Sequence, residues 1–196
     1  MYAKIENNIV VKVNSSLASF SKAAPSWDAA QRAANGIYEV VYDTSNKKDE
    51  RFYNNGAETL TFADDVVTAT YTPATGKKLD DTNEVDEDGA ALLDEDGVQV
   101  VTLGLKSVEK KQIKNQAAGL LKDTDWYVVR NAEAGTVIPA DVATFRADVR
   151  TKSGTMETAI DGAASIEALE ALFAYTNSGT DAEPNYTRPL GEFPKL

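Results

Sequence analysis

The sequence predicts an α+β fold, with a β-rich antiparallel N-terminal half, a helical C-terminal half and an extended C-terminal arm. Three observations predict it. Through residues 1–75, apolar and β-branched residues come in short alternating runs, the period of half-buried strands. From Ser107 onward the apolar residues recur at helical spacing. Between the two, nine of the seventeen residues from Asp80 to Asp96 are acidic, too charged for a core. The chain therefore divides into a small β-rich domain over 1–76, an acidic connector with turns and a strand over 77–105, a helical domain over 106–175 and an extended arm over 176–196.

Taken in order, Tyr2–Val13 reads as two short strands joined at Asn7-Asn8, because Asn tolerates the positive φ of a tight hairpin turn. Asp28–Asn35 is Ala-rich, with Gly36 suited to ending a helix. Asp28 beside Trp27 is an N-cap candidate and nothing more. Ile37–Tyr42 is strand-like by its β-branched and aromatic content. Arg51–Tyr53, Thr59–Phe62 and Val66–Thr72 continue the β pattern; Asp64-Asp65 forms the turn of a hairpin and Pro73 ends the last strand.

The tetrapeptide Asp-Glu-Asp-Gly occurs at Asp86–Gly89 and again at Asp94–Gly97, which predicts two tight turns around Ala90–Leu93. Val98–Leu105 follows as an expected strand. Ile113, Ala117, Leu120 and Leu121 then form a helical stripe with Ser107 as its expected N-cap. Asp123-Thr124-Asp125 ends this helix, and Trp126-Tyr127-Val128-Val129 is expected to anchor a connection to the next. Pro139 opens that helix, Ala140–Arg150, with Val142, Phe145 and Val149 on one face. Ser165 caps a last helix, Ile166–Tyr175. Pro184, Pro189 and Pro194 disfavour regular structure in the arm.

Composition excludes several functions. The formal net charge is −11, so a phosphate backbone or an anionic membrane surface is repelled. With no Cys and no His, disulfides, thiolate metal sites, cysteine nucleophiles and histidine bases are absent. The start, Met1–Val13, lacks the pattern of a signal peptide, and no apolar run is long enough to span a membrane. Phosphate-loop, dinucleotide-binding and nucleophile-elbow motifs do not occur, so the expectation is a non-enzyme without a cofactor. The acidic connector does imitate a calcium loop: Glu84, Asp86, Asp88 and Glu95 fall at the first, third, fifth and twelfth positions, with Gly89 at the sixth. Glu at the first position and the lack of a preceding amphipathic helix favour a solvated acidic loop over a metal site.

One segment carries a resemblance. Leu120-Leu121 and Thr124-Asp125-Trp126 are followed, after about eighteen residues, by Phe145-Arg146 and Arg150. The pattern resembles a module near the C-termini of tail, tail-fibre and tail-fibre-assembly proteins of tailed bacteriophages. The opening MYAKIENN and closing RPLGEFPKL are similar to small structural proteins of marine cyanobacterial phages. Two departures stand out: Phe145 replaces the module's usual Tyr, and the Trp that often precedes it is missing from Asp141–Thr144.

The resemblance implies a structural component of the tail, baseplate or fibre region of a virion, made in the cytoplasm of an infected bacterium. Its partners would be other virion proteins or further copies of itself. A fibre-assembly chaperone and a capsid-decoration or host-surface-binding protein are the alternatives. Partner-binding candidates are Trp126, Tyr127, Arg146, Arg150, Arg188 and Phe193. For Trp126 a role in the protein's own core is the favoured reading, closing a two-helix hairpin over Leu120 and Phe145. For Arg146 and Arg150, ion pairs with Asp123 or Asp125 are favoured over an interface. The arm is expected to lie along a neighbour, so that deleting Glu183–Leu196 leaves the fold stable.

Overall fold

The computed structural model describes all residues from Met1 to Leu196 and is α+β. The chain forms two compact units, Met1–Gly76 and Lys77–Leu196.

In the first unit, β1 (Tyr2–Glu6) and β2 (Ile9–Asn14) form the expected hairpin, with Asn7 at φ 52° and Asn8 at φ 62°. Two 3₁₀ turns, Leu17–Ser19 and Ala24–Ser26, lead to α1 (Ala29–Ala34). Asp28 caps α1 reciprocally: its carboxylate accepts from the Gln31 N–H, and the Gln31 side chain accepts from the Asp28 N–H. Gly36 follows at φ 67°; a Cβ there would sit 2.6 Å from the Ile5 carbonyl oxygen, so only glycine fits. Next come β3 (Ile37–Tyr42), β4 (Tyr53–Asn54), β5 (Glu58–Ala63), β6 (Val66–Tyr71) and β7 (Thr75–Gly76). Asp64 and Asp65 turn the β5–β6 hairpin at φ 50° and 60°. Arg51–Tyr53 is not a strand: residues 50–52 form a turn that buries Phe52, and β4 begins only at Tyr53.

The five-stranded sheet has the order β2-β1-β3-β6-β5. All its pairs are antiparallel except β3–β6, which runs parallel with Val40 opposite Val67. No local pattern announces that pairing, because two other strands, β4 and β5, lie between β3 and β6 in the sequence. Ala3, Ile5, Val40, Val67 and Ala69 form the buried cluster, flanked by Tyr38, Leu60 and Phe62.

In the second unit, β8 (Thr82–Asn83) and β9 (Val101–Thr102) close the base of the acidic segment. Val98–Leu105 is therefore not one strand; its last residue starts α2 (Leu105–Lys122). Ser107 is not the N-cap. Gly104 holds that position, and the Asp81 carboxylate does the capping from outside, accepting from the Gly104 N–H at 2.8 Å and the Ser107 hydroxyl at 2.9 Å. A Cβ on Gly104 would lie 2.3 Å from the Asp80 carbonyl carbon, so the close approach of these two backbone segments needs glycine.

Asp125–Ala134 is a helix, α3, where an irregular connection was expected. Asp125 supplies a favourable charge in its first turn, and Gly135 at φ 67° ends it. The next helix, α4 (Ala140–Asp161), runs eleven residues beyond the expected Arg150. Ser165 caps α5 (Ile166–Phe173), its hydroxyl accepting from the Ala168 N–H. The pairs Lys110–Asp161 and Lys114–Glu157 join α2 and α4 in opposite chain order, so the two helices are antiparallel. Their buried faces carry Leu105, Ile113 and Ala117 against Val142, Phe145, Val149, Met156 and Ile160.

The arm after α5 is largely irregular, but it is not detached. Two short strands, β10 (Thr176–Asn177) and β11 (Tyr186–Thr187), pair with each other. Leu190 is only 2% exposed, and its N–H donates to the Leu172 carbonyl. Phe193 packs on Ala117, Phe145 and Val149. The burial of these two apolar side chains holds the arm to its own helices. No helix is long and apolar enough to cross a membrane.

Candidate functional site

Four residues of the Leu-Leu, Thr-Asp-Trp and Phe-Arg pattern, Leu121, Thr124, Asp125 and Arg146, meet at the joint between α2 and α3. Once α2 ends, its last carbonyls need donors. Leu121 O accepts from the Thr124 N–H at 3.0 Å and from the Thr124 hydroxyl at 2.8 Å. The Arg146 guanidinium reaches in from α4 and donates to the same oxygen at 2.9 Å, to Thr124 Oγ1 at 2.5 Å and to Asp125 Oδ1 at 2.8 Å. Arg146 thus caps the negative end of α2 and holds the first residue of α3. Its side chain is 7% exposed, whereas that of Asp125 is 59% exposed. The pairing with Asp125 was among the expected ones, but the burial of an arginine among Val142, Phe145 and Val149 was not. A charged residue at a stripe position reads as surface until its partners are known.

Beyond this joint, α3 buries none of its ten residues. Trp126 is 50% exposed, so the core-anchor reading of this residue is corrected. Its ring lies 3.8 Å from that of Tyr127, which is half-buried, and the Arg130 guanidinium sits 4.6 Å over it. Val128 and Val129 are exposed as well. The reason is geometric: no other helix or strand packs substantially against α3.

The other candidates lie apart from one another. Arg150 is exposed one turn beyond Arg146 and makes only a long bond, 3.4 Å, to the Arg146 carbonyl. Arg188 pairs with Glu192 at 2.8 Å and lies 5.2 Å over the Tyr175 ring. The Tyr175 hydroxyl donates to Glu192, which holds its pKa above the usual value. Phe193 is half-buried against Phe145 and is occupied with packing.

In the acidic segment, two hairpins and the β8–β9 pair meet at one junction. Glu84 N–H donates to Val100 O at 2.9 Å, Val100 N–H to Leu92 O at 2.8 Å and Leu92 N–H to Glu84 O at 3.0 Å. The Gln99 amide sits within hydrogen-bond distance of the carbonyls of Glu84, Leu92 and Val100. Two hairpins turn at the repeated tetrapeptides. Asp86 Oδ1 accepts from the N–H groups of Asp88 and Ala90, and Asp94 Oδ1 accepts from those of Asp96 and Val98. Glu84, Asp86, Asp88 and Glu95 do not converge, and no group of three or more carboxylates is placed to hold a metal ion. The carboxylates at Asp86 and Asp94 are used to form turns. Around the junction Val85, Leu92, Leu93, Val98 and Val101 are all exposed. Gln99 was missed in the sequence; the eight-residue spacing of the two tetrapeptides was the available signal.

No family model, curated protein or solved structure matches the chain.

Proposed function

We propose that the protein is a non-enzymatic structural component of a tailed-phage particle, in the tail, baseplate or fibre region, where it binds other virion proteins. The observation that carries this reading is the joint itself. Leu121, Thr124, Asp125 and Arg146, four of the residues in which the chain resembles phage tail proteins, are bonded to one another and tie the end of α2, the start of α3 and α4 together.

The acidic segment with its three-way junction supports the binding part of the reading. Nine carboxylates and no Lys or Arg fall between Asp80 and Asp96, most of the net −11 of the chain. They flank exposed Val85, Leu92, Leu93 and Val98, and an apolar patch rimmed by charge is the composition of a surface that another protein covers. The test is mass spectrometry of purified, washed particles from an infected culture. Recovery at a copy number matching a tail symmetry supports the proposal. Recovery from the lysate but never from particles overturns residence in the virion and points to an assembly factor.

A further inference from the structure

The second unit carries two open surfaces that no other helix or strand of the chain covers. One is the face of α3 that carries Trp126, Val129 and Glu133, spaced i, i+3, i+7 and therefore aligned along one side of the helix. Trp126 is 50% and Val129 53% exposed. Isolated helices shorter than about twelve residues are marginal in water, so a ten-residue helix with no buried side chain gains order from a partner surface. The other surface is a groove of about 350 Å³ between α2 and α4. Ala117, Ala118 and Leu121 form one wall, Ser153 and Gly154 the other, and Arg150 stands at its rim. Gly154 leaves open space above it, since a Cβ there would meet nothing within 4 Å.

We infer that α3 of one copy docks in the α2–α4 groove of a second copy, with Trp126 and Val129 on the apolar floor and Glu133 paired to Arg150. Length, polarity and charge support this occupant. Trp126 and Glu133, like Lys114 and Leu121, stand seven positions apart, about 10.5 Å of helix. Small residues in the groove admit a large indole. Glu133 is exposed and without an ion pair, and so is Arg150, whereas the other rim charges, Lys114 and Glu157, already pair with each other at 3.3 Å. Docking therefore brings together a carboxylate and a guanidinium that each lack a counter-charge. The contact lies away from the Asp80–Asp96 carboxylates in sequence, and local attraction acts within a Debye length of about 8 Å at physiological salt. The inference concerns self-association and does not depend on the phage reading.

The test uses the purified full-length chain, with mass measured by light scattering and by sedimentation from low to high micromolar concentration. The wild type is expected to associate as concentration rises, with a blue shift of Trp126 emission read in a Trp27→Phe background. Gly154→Leu fills the groove at a position with room for it. It should weaken association at least tenfold without lowering the melting temperature, and Trp126→Ala should do the same. Glu133→Arg and Arg150→Glu should each weaken self-association, and mixing the two variants should restore it. A wild type that stays monomeric throughout overturns the inference. So does association that survives Gly154→Leu and Trp126→Ala, or charge variants that fail to recover on mixing.

Discussion

The clamp at the α2–α3 joint makes an asymmetric prediction: losing its exposed partner should cost more than losing its buried one. Asp125→Ala leaves the Arg146 guanidinium, 7% exposed, without a counter-charge. Breaking a buried ion pair costs about 3–5 kcal/mol. Asp125 is 59% exposed, so part of its attraction is already screened, and about 2–3 kcal/mol remains. Arg146→Met removes three hydrogen bonds but leaves no buried charge. Leu121 O keeps both donors from Thr124, Asp125 turns to water, and methionine refills much of the volume. That change should cost about 1–2 kcal/mol. For a unit of this size, about 4 °C of melting temperature corresponds to each kcal/mol. Asp125→Ala should therefore lower the transition by about 8–12 °C and Arg146→Met by about 4–8 °C. The double variant should fall little below Arg146→Met, because once the guanidinium is gone Asp125 contributes only its helix-end charge, about 0.3–1 kcal/mol. Thermal denaturation followed by far-ultraviolet circular dichroism gives the three numbers. Hydrogen exchange supplies a local check: in Asp125→Ala the amides of α3 should exchange faster while those of central α2 and α4 do not. Strict additivity, or an Asp125→Ala effect below about 0.5 kcal/mol, would show that the joint is not a coupled clamp.

Other consequences are open to measurement. Leu190→Ala should destabilise the second unit by about 2–4 kcal/mol, and deleting Glu183–Leu196 should also lower its melting temperature, since Leu190 is 2% exposed and Phe193 packs on Phe145. Gln99→Ala should speed amide exchange at Glu84, Leu92 and Val100 and cost about 1–2 kcal/mol, whereas millimolar calcium should leave the melting temperature unchanged. Tyr71 donates to Glu58 at 2.6 Å, which pushes its pKa up to about 12. A raised pKa means that the stability this bond provides is full below pH 10, the ordinary tyrosine value, and is lost as pH rises toward 12; ultraviolet titration should show a tyrosine titrating near 12 that Glu58→Gln returns toward the ordinary range. Asp81 is the reverse case. Its bonds from the Gly104 N–H and the Ser107 hydroxyl lower its pKa, so its contribution is present above the ordinary aspartate range and is lost as pH falls through the depressed value. Asp81→Asn should flatten the acid side of the melting profile.

Local rules made much of the architecture legible. Asn7-Asn8 and Asp64-Asp65 announced their hairpins because few residues accept positive φ, and both pairs adopt it. The caps at Asp28 and Ser165 were readable because each side chain satisfies a donor three residues away. Where the partner lay far off in sequence, local reading failed. Ser107 resembled an N-cap, but Asp81, twenty-six residues earlier, caps the helix instead. Val128-Val129 read as part of an anchor to an irregular connection, but they lie inside α3, which starts at Asp125 and stops at Gly135.

The sequence by itself determined the α+β class, the change of period that separates sheet from helices, the turns and most helix starts, because each depends on residues within a few positions of one another. The tertiary structure alone decided the parallel β3–β6 pairing, the burial of Arg146, the exposure of Trp126, the three-way junction around Gln99 and the return of the arm onto the helices. Each of these depends on groups brought together from distant parts of the chain. Whether a charge is buried or an indole is left in water is set by what packs beside it, and residue type alone does not carry that information.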